Sequence, residues 1–350
     1  IWNKMNFNES GSLQSIHFCY ESLNNSCQKH VLSIHTYAIV YTVMWAIIII
    51  TVFGNLIVII SISHFIQLHS PTNFLVFSLA VTDLLLGGFV MPPIAVQLIE
   101  TCWYLGEAFC RFYLSVVITL CTSSVLHLSF ISIDRYYAVC HPLTYKSKIT
   151  TSLTIHLILF CWILSVAVGF LIVYLELNLI GVENLYYEKS KCVGSCLLLQ
   201  NEASGLVSSL FSFYIPGFIM IVIYIKIFTV AQRQARSIQD AAQFNQTTEQ
   251  KRNVASRKRE TKAAKTLATV VGVFLLCWSP FFLCNIIDPL INFSTPPLLI
   301  DIFAWFGYMN STFNPLIYGF FYSWFRKALR LIVYGKIFQS DSSRMKLFSD

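Results

Sequence analysis

The stretch Asn310 to Phe325, NSTFNPLIYGFFYSWF, sets a polar amide beside a proline inside a run that is otherwise rich in Phe, Trp, Leu, Ile and Tyr. Proline lacks a backbone N–H and crowds the carbonyl four residues before it, so a helix through Asn314-Pro315 carries freed backbone polar groups. At bilayer depth such groups persist only where neighbouring helices, side chains or ordered water satisfy them again. The segment is therefore expected to cross a membrane inside a polytopic bundle, with its asparagine seam facing inward.

The rest of the chain agrees. It is 56% hydrophobic and 12% charged, against about 25% charged in soluble domains. A helical crossing needs about 20 apolar residues, and seven stretches reach that length, at 37–63, 73–99, 109–139, 154–174, 205–230, 263–287 and 298–322. The predicted fold is an all-α seven-transmembrane bundle (37–322) between a polar leader (1–36) and a tail (323–350). At the start of the tail, Trp324, Phe325, Ala328, Leu329 and Ile332 fall on one side of a helix and Arg326, Lys327 and Arg330 on another. That pattern predicts a short amphipathic eighth helix lying on the inner leaflet.

Lysine and arginine set the orientation. With the leader outside, only Lys4, Lys29, Arg111, Lys189 and Lys191 of the twenty-four basic residues are external, as the positive-inside bias requires. The net charge of +7 thus reports topology rather than nucleic-acid binding. The leader shows no short apolar run with a cleavage site, so the first span is expected to act as signal anchor, with Met5 a candidate start. Asn8-Glu9-Ser10 and Asn24-Asn25-Ser26 are external glycosylation sequons. Asn292-Phe293-Ser294 lies close to the bilayer, while the matches at Asn245 and Asn310 are expected in the cytoplasm and in the bundle. Of eleven cysteines, Cys19, Cys27, Cys102, Cys110, Cys192 and Cys196 lie on the outer side. An oxidising exterior permits disulfides there, but spacing alone leaves the pairing open. Cys121, Cys140, Cys161, Cys277 and Cys284 read as small packing residues.

Ionisable groups within a span are costly and face the interior. Asp83 lies midway along the second span, suited either to a cation or proton switch or to a protonated structural role. Asp134-Arg135-Tyr136 closes the third span, where Asp134 can neutralise the permanently charged Arg135. Pro216, Pro280 and Pro315 each remove an intrahelical hydrogen bond and mark bends. Phe274 and Trp278, a turn apart, are placed to repack against Pro216 and Val125, or simply to fill the core.

The closing run resembles that of class A G-protein-coupled receptors and, through its NS-NP-Y-WF wording, the trace amine-associated receptors. Asn55, Trp162, Pro216, Tyr224 and Trp278-Ser279-Pro280 stand at matching places. So do His64-Phe65, Gln67 to Phe74, Cys102-Trp103-Tyr104 and Lys262 to Leu267, and the likeness covers nearly the whole chain. It implies a sodium or proton site at Asp83, Ser124, Asn310 and Asn314, with no other metal and no cofactor. It also implies a G-protein switch at Asp134, Arg135, Glu260, Tyr224 and Tyr318. The implied disulfides are Cys110–Cys196 and Cys27–Cys192, with Cys19 competing for the second. The polar stretch 232–261 is expected as a cytoplasmic loop and docking surface.

The implied ligand pocket holds Val117, Ile118, Cys121, Ser208, Ser209, Trp278, Phe281, Phe282, Trp305 and Tyr308. In the family an aspartate seven residues after the third-span cysteine pairs with the ligand ammonium. Here that position is Val117, and no carboxylate occurs between Arg111 and Ile133. The fifth-span carboxylate of some relatives is replaced by Ser208 beside Ser209. Rim acids remain at Glu100, Glu202, Asp288 and Asp301, of which Asp288 and Glu202 are the chosen candidates. The resemblance thus implies a plasma-membrane receptor for a small amine or related volatile, in an olfactory setting. Its expected partners are a stimulatory or olfactory G protein, arrestin, a receptor kinase and membrane lipid. A neutral ligand is the alternative. A transporter would show internal repeats, a retinal photoreceptor a lysine in the last span, and an enzyme a catalytic constellation. The chain has none of these.

Overall fold

The structure, a computed structural model, describes residues 5–7, 13–15, 17–29, 33–189, 192–241, 248–339, 341–345 and 347, with backbone alone at 5–7, 13–15, 187–189, 234–241, 248–263 and 323. Two short hairpins open the chain: β1 (Met5–Phe7) pairs with β2 (Leu13–Ser15), and β3 (His17–Phe18) with β4 (Gln28–Lys29). The helices follow as α1 (Ile34–His64), α2 (Pro71–Leu85), α3 (Met91–Glu100), α4 (Glu107–Cys140), α5 (Pro142–Lys148), α6 (Thr151–Tyr174) and α7 (Glu183–Lys189). After the second outer loop come α8 (Glu202–Ser209), α9 (Ile215–Ala241), α10 (Thr248–Leu290), α11 (Pro297–Tyr308), α12 (Asn310–Phe321) and α13 (Ser323–Val333).

Local chemistry sets several starts. Ser33, Ser70, Thr150 and Asn201 accept hydrogen bonds from Thr36, Asn73, Leu153 and Ser204 N–H groups, each two or three positions into a helix, and Pro71 occupies the first turn of α2. Among the described residues, six helical runs are long and apolar enough to span a bilayer: Ile34–His64, Pro71–Glu100, Glu107–Cys140, Thr151–Tyr174, Glu202–Arg233 and Ala264–Leu290. The seventh crossing joins α11 and α12, of 12 residues each. α4 is the central post, packed against α2, α6, α9 and α10. Outward side chains such as Ile39, Phe53, Ile163, Phe211 and Phe218 are exposed and apolar, the dressing of a lipid-facing belt.

Proline shapes the spans. In the second and fifth crossings a π-helical turn, Leu86–Val90 and Leu210–Tyr214, precedes Pro92-Pro93 and Pro216. Each turn contains the carbonyl that the proline ring would strike, Gly88, Phe89 or Ser212, so the extra residue widens the ladder where the clash would fall. In the seventh crossing the freed carbonyl is that of Ser311, four residues before Pro315. It accepts a 3.0 Å hydrogen bond from Asn55 Nδ2 on α1. A satisfied bond here contributes about 1 kcal/mol, whereas an orphaned group would cost about 1–3 kcal/mol. α1 can come that close because residue 54 is glycine: a Cβ there would lie 2.7 Å from the Pro315 ring.

Two expectations change. The seventh span is broken at Met309 rather than continuous. The stretch 232–261, read as a polar loop, instead extends α9 to Ala241 and begins α10 at Thr248, because its Gln, Arg, Ala and Lys are strong helix formers however polar they are. α13 buries Trp324, Phe325 and Ala328, and Arg326 caps the end of α12 by donating to the Gly319 and Phe320 carbonyls. The tail then folds back to the inner end of α1. Ser342 Oγ lies 2.9 Å from His64 Nε2, Leu347 N–H donates to Gln67, and the Leu347 side chain is buried.

Candidate ligand cavity and its inward connections

The outer end of the bundle is held by covalent and hydrogen-bonded ties. Cys110–Cys196 and Cys27–Cys192 are bonded, and Cys19, the competitor for Cys192, is bonded to Cys102 instead. The leader is stitched to the second outer loop at Cys27 N–H to Val193 O and Val193 N–H to Asn25 O. Gly194 passes under Cys19 with φ +105°, and a Cβ would approach the cysteine Cβ to 2.9 Å, so both conformation and space require glycine. Glu100, at the end of α3, accepts from Lys29 Nζ at 2.5 Å, Tyr104 at 2.8 Å, Tyr41 at 3.2 Å and Tyr37. The Glu100 hydrogen bond raises the pKa of Lys29 above its ordinary value, so this tie is fully charged at neutral pH.

Beneath this cap lies a cavity of about 140 Å³. Of the expected pocket residues, Val117, Ile118, Cys121, Ser208, Trp278, Phe281, Phe282 and Tyr308 line it. Trp278 forms the floor, with ring centroids 5.7 Å from Phe281, Phe282 and Tyr308. Phe282 stacks on Phe213 at 4.8 Å, and Phe213 in turn meets the enclosed Phe274. Gly307 makes room for the indole, since a Cβ there would sit 2.6 Å from it. A wider vestibule of about 360 Å³ lies outward, sharing Leu114, Leu197 and Leu198 with the cavity and carrying Arg111 paired to Glu107 and Glu176.

Four expected residues fall elsewhere. Ser209 and Trp305 are buried but do not line the cavity. Asp288 accepts from Thr295 N–H at 3.0 Å and lines a separate small cavity. Glu202 sits exposed in the first turn of α8. Both acids serve or flank loop and helix ends, whose positions the sequence does not reveal. The carboxylate that does line the cavity is Asp301 on α11, with Oδ2 accepting from Gln97 Nε2 at 3.2 Å. Gln97 carried no sequence signal.

Deeper, Asp83 is 0% exposed, accepting from Ser311 Oγ at 2.6 Å and Asn314 Nδ2 at 2.7 Å. Ser124 Oγ, Asn310 Oδ1 and Asn314 Oδ1 are buried and, among the described residues, have no hydrogen-bond partner. Ser311 was not foreseen, because the break at Met309 decides which way it faces. At the inner end Arg135 donates to Asp134 Oδ2 from Nε at 2.9 Å and from the guanidinium terminus at 2.6 Å. Thr72 bonds both Arg135 and Asp134, and Tyr145 donates to Asp134 Oδ1 at 2.9 Å. Burial first, then the Asp134 charge, pushes Tyr145 up to about 12, which keeps its hydroxyl protonated. The Tyr224 and Tyr318 hydroxyls are enclosed. The Glu260 side chain and Asn8 lie outside the described residues, and Asn24 is exposed.

Residues 54–318 match the family model "7 transmembrane receptor (rhodopsin family)". The chain is 51% identical over 331 residues to trace amine-associated receptor 1 of Macaca mulatta, covering 95% of this chain and 98% of that protein. It is 47% identical over 343 residues to trace amine-associated receptor 4 of Mus musculus, at 98% and 99% coverage. It is also 44% identical over 332 residues to trace amine-associated receptor 13c of Danio rerio, at 95% and 96%. The chain belongs to the trace amine-associated receptors, within the rhodopsin family. As a trace amine-associated receptor it is a multi-pass membrane receptor and not an enzyme. The family model begins at the Gly54 contact with Pro315 and ends at Tyr318, so it spans the region that builds the cavity, the Asp83 cluster and the Arg135 clamp.

Proposed function

We propose that this receptor sits in the plasma membrane with its leader outside and responds to a small amine or related volatile. Agonist binding would drive a stimulatory or olfactory G protein and raise cyclic AMP. The observation that carries the reading is the aromatic-walled cavity whose floor, Trp278, stands two residues before Pro280 within α10. A ligand seated on the indole changes its packing against Tyr308 and Gly307, and a bend at Pro280 converts that change into movement of the inner half of α10. That movement would free Arg135 for the G protein. Leu143, 98% exposed on α5 near the clamp, offers an apolar contact for such a partner. Arrestin and a receptor kinase would use the same inner face, and α13 the inner leaflet.

The oxygens of Asp83, Ser124, Asn310 and Asn314 suit a hard monovalent cation, because orphaned buried acceptors gain from one. We propose sodium there, as an allosteric ion rather than a cofactor of any reaction.

One observation favours a second reading. Val117 stands 8% exposed at the cavity wall where the family places its aspartate, and a neutral ligand would need no anchor there. The test is cyclic AMP in cells expressing the full chain, challenged with amine and neutral odorant panels, for wild type and Val117→Asp. Amine responses in wild type are the expected result. Silence to amines in wild type with responses in Val117→Asp would leave a working scaffold and assign the receptor a neutral ligand.

A further inference from the structure

Among the described residues, Asp301 is the one carboxylate that lines the cavity, and no Lys, Arg or His lines it. Asp301 is half-buried, and a carboxylate drawn partly out of water into a largely apolar space with no opposite charge is costly unless something pairs with it. Gln97 answers half of the demand. Its Nε2 donates to Asp301 Oδ2 at 3.2 Å and to the Cys196 carbonyl, also at 3.2 Å. Cys196 is locked to Cys110, so Gln97 fixes the carboxylate against a rigid part of the outer loop. Among the described residues, Oδ1 accepts no hydrogen bond. The other rim acids are engaged or displaced: Glu100 in its tyrosine and lysine network, Asp288 on Thr295, Glu202 outside the cavity.

We propose that Asp301 is the counter-ion for the ligand's ammonium, and that the ligand lies with its charged end outward under the second outer loop and its apolar end on Trp278. This rests on the amine reading above and gives it an anchor. Asp301, Ala304 and Tyr308 follow one another along the cavity face of α11. Seven residues of helix separate Asp301 from Tyr308, about 10 Å at the α-helical rise. That depth holds a short linker and a ring between the carboxylate and the Tyr308–Trp278 floor. Val117 then contributes apolar wall beside the ligand's middle, which explains how a valine at that position is compatible with an amine. A primary or secondary amine satisfies Oδ1 with a charge-assisted N–H···O bond, whereas the alcohol of the same skeleton brings a hydroxyl without charge.

The experiment is a cyclic AMP dose–response in intact cells. The probes are a panel of primary arylalkyl and alkyl amines headed by 2-phenylethylamine, with the matching alcohols headed by 2-phenylethanol. The receptors are wild type, Asp301→Asn, Asp301→Glu, Asp288→Asn and the double variant Val117→Asp/Asp301→Asn, compared at equal surface staining. Asp301→Asn is expected to weaken amine potency by roughly 30-fold or more, with Asp301→Glu retaining most of it and Asp288→Asn close to wild type. The double variant is expected to answer amines again, which separates loss of the anchor from loss of folding. Equal amine potency in wild type and Asp301→Asn overturns the assignment of Asp301 and leaves the amine reading intact. Wild type silent to every amine but answering alcohols overturns both.

Discussion

Asp83 shows how much chemistry one side chain can organise. Its two oxygens are taken up by Ser311 and Asn314, yet three further buried oxygens, on Ser124, Asn310 and Asn314, have no partner among the described residues. Each orphaned polar group costs about 1–3 kcal/mol, so an ion that several of them could share at once has a clear energetic opening. Bound sodium stabilises the state that holds it by about 2.7 kcal/mol at a hundredfold excess over its Kd. We therefore expect purified receptor to unfold at a higher temperature in sodium chloride than in choline chloride of equal ionic strength, and Asp83→Asn to lose that difference. An equal sodium effect in both proteins would sink the site. Asp83 is legible in the sequence as a carboxylate midway along an apolar span, whereas Ser124, Asn310 and Asn314 are reached only through the family resemblance. Nothing in the sequence points to Ser311, whose direction is set by a helix break at Met309 that no residue type announces.

At the level of elements, legibility follows whether a rule is local. Pro315 is legible as a helix interruption, but its partner is not: the structure shows Asn55 taking up the freed Ser311 carbonyl. The π-helical turns before Pro92 and Pro216 were not foreseen, since the chain could equally have bent or broken there. The polarity of 232–261 suggests a loop, but the helix propensity of its Gln, Arg, Ala and Lys prevails at the end of α9 and the start of α10. Cysteine pairing was least legible. Cys19 and Cys102 come together only because β3–β4 brings the leader over the end of α3. That third bond closes a separation of 83 residues, and such a link is worth about 2–4 kcal/mol. Replacing both cysteines by serine should lower the thermal midpoint of the purified receptor while Cys110–Cys196 persists in a peptide map. An unchanged midpoint would mean that Cys27–Cys192, the backbone bonds to Val193 and the Lys29–Glu100 contact hold the leader without it. That contact has its own pH signature. A lysine raised by its partner adds stability that is full below its unfolded pKa of about 10.4 and is lost as pH climbs through the folded value, so Lys29 holds the leader across the physiological range.

Across the whole molecule, the outer cap is fixed and the inner end is only clamped. Three disulfides and the Glu100 network hold the outer ends of α1, α3 and α4 and the second outer loop together. In the proposed response, motion started at Trp278 passes along α10, which carries Pro280, toward its inner part, where it packs against α9. The resistance proposed at the inner end is a small cluster tying α4 to α2 and α5: Asp134 receives two bonds from Arg135 and one each from Thr72 and Tyr145. Hydrogen bonds to a charged group are worth about 1.5–3 kcal/mol each, and every 1.4 kcal/mol moves a two-state equilibrium tenfold. Asp134→Asn keeps the shape but removes the charge that orders the cluster. The freed-arginine population should then rise by roughly tenfold or more without ligand, read as basal cyclic AMP or nucleotide exchange at matched surface density. The same variant should gain agonist affinity, because a ligand that selects the released state no longer works against the full clamp. Raised basal signalling with unchanged affinity would place the clamp downstream of, and uncoupled from, the cavity. Unchanged basal signalling would mean that Arg135 is not what holds the resting receptor in check, and that the restraint lies in the packing of α9 against α10.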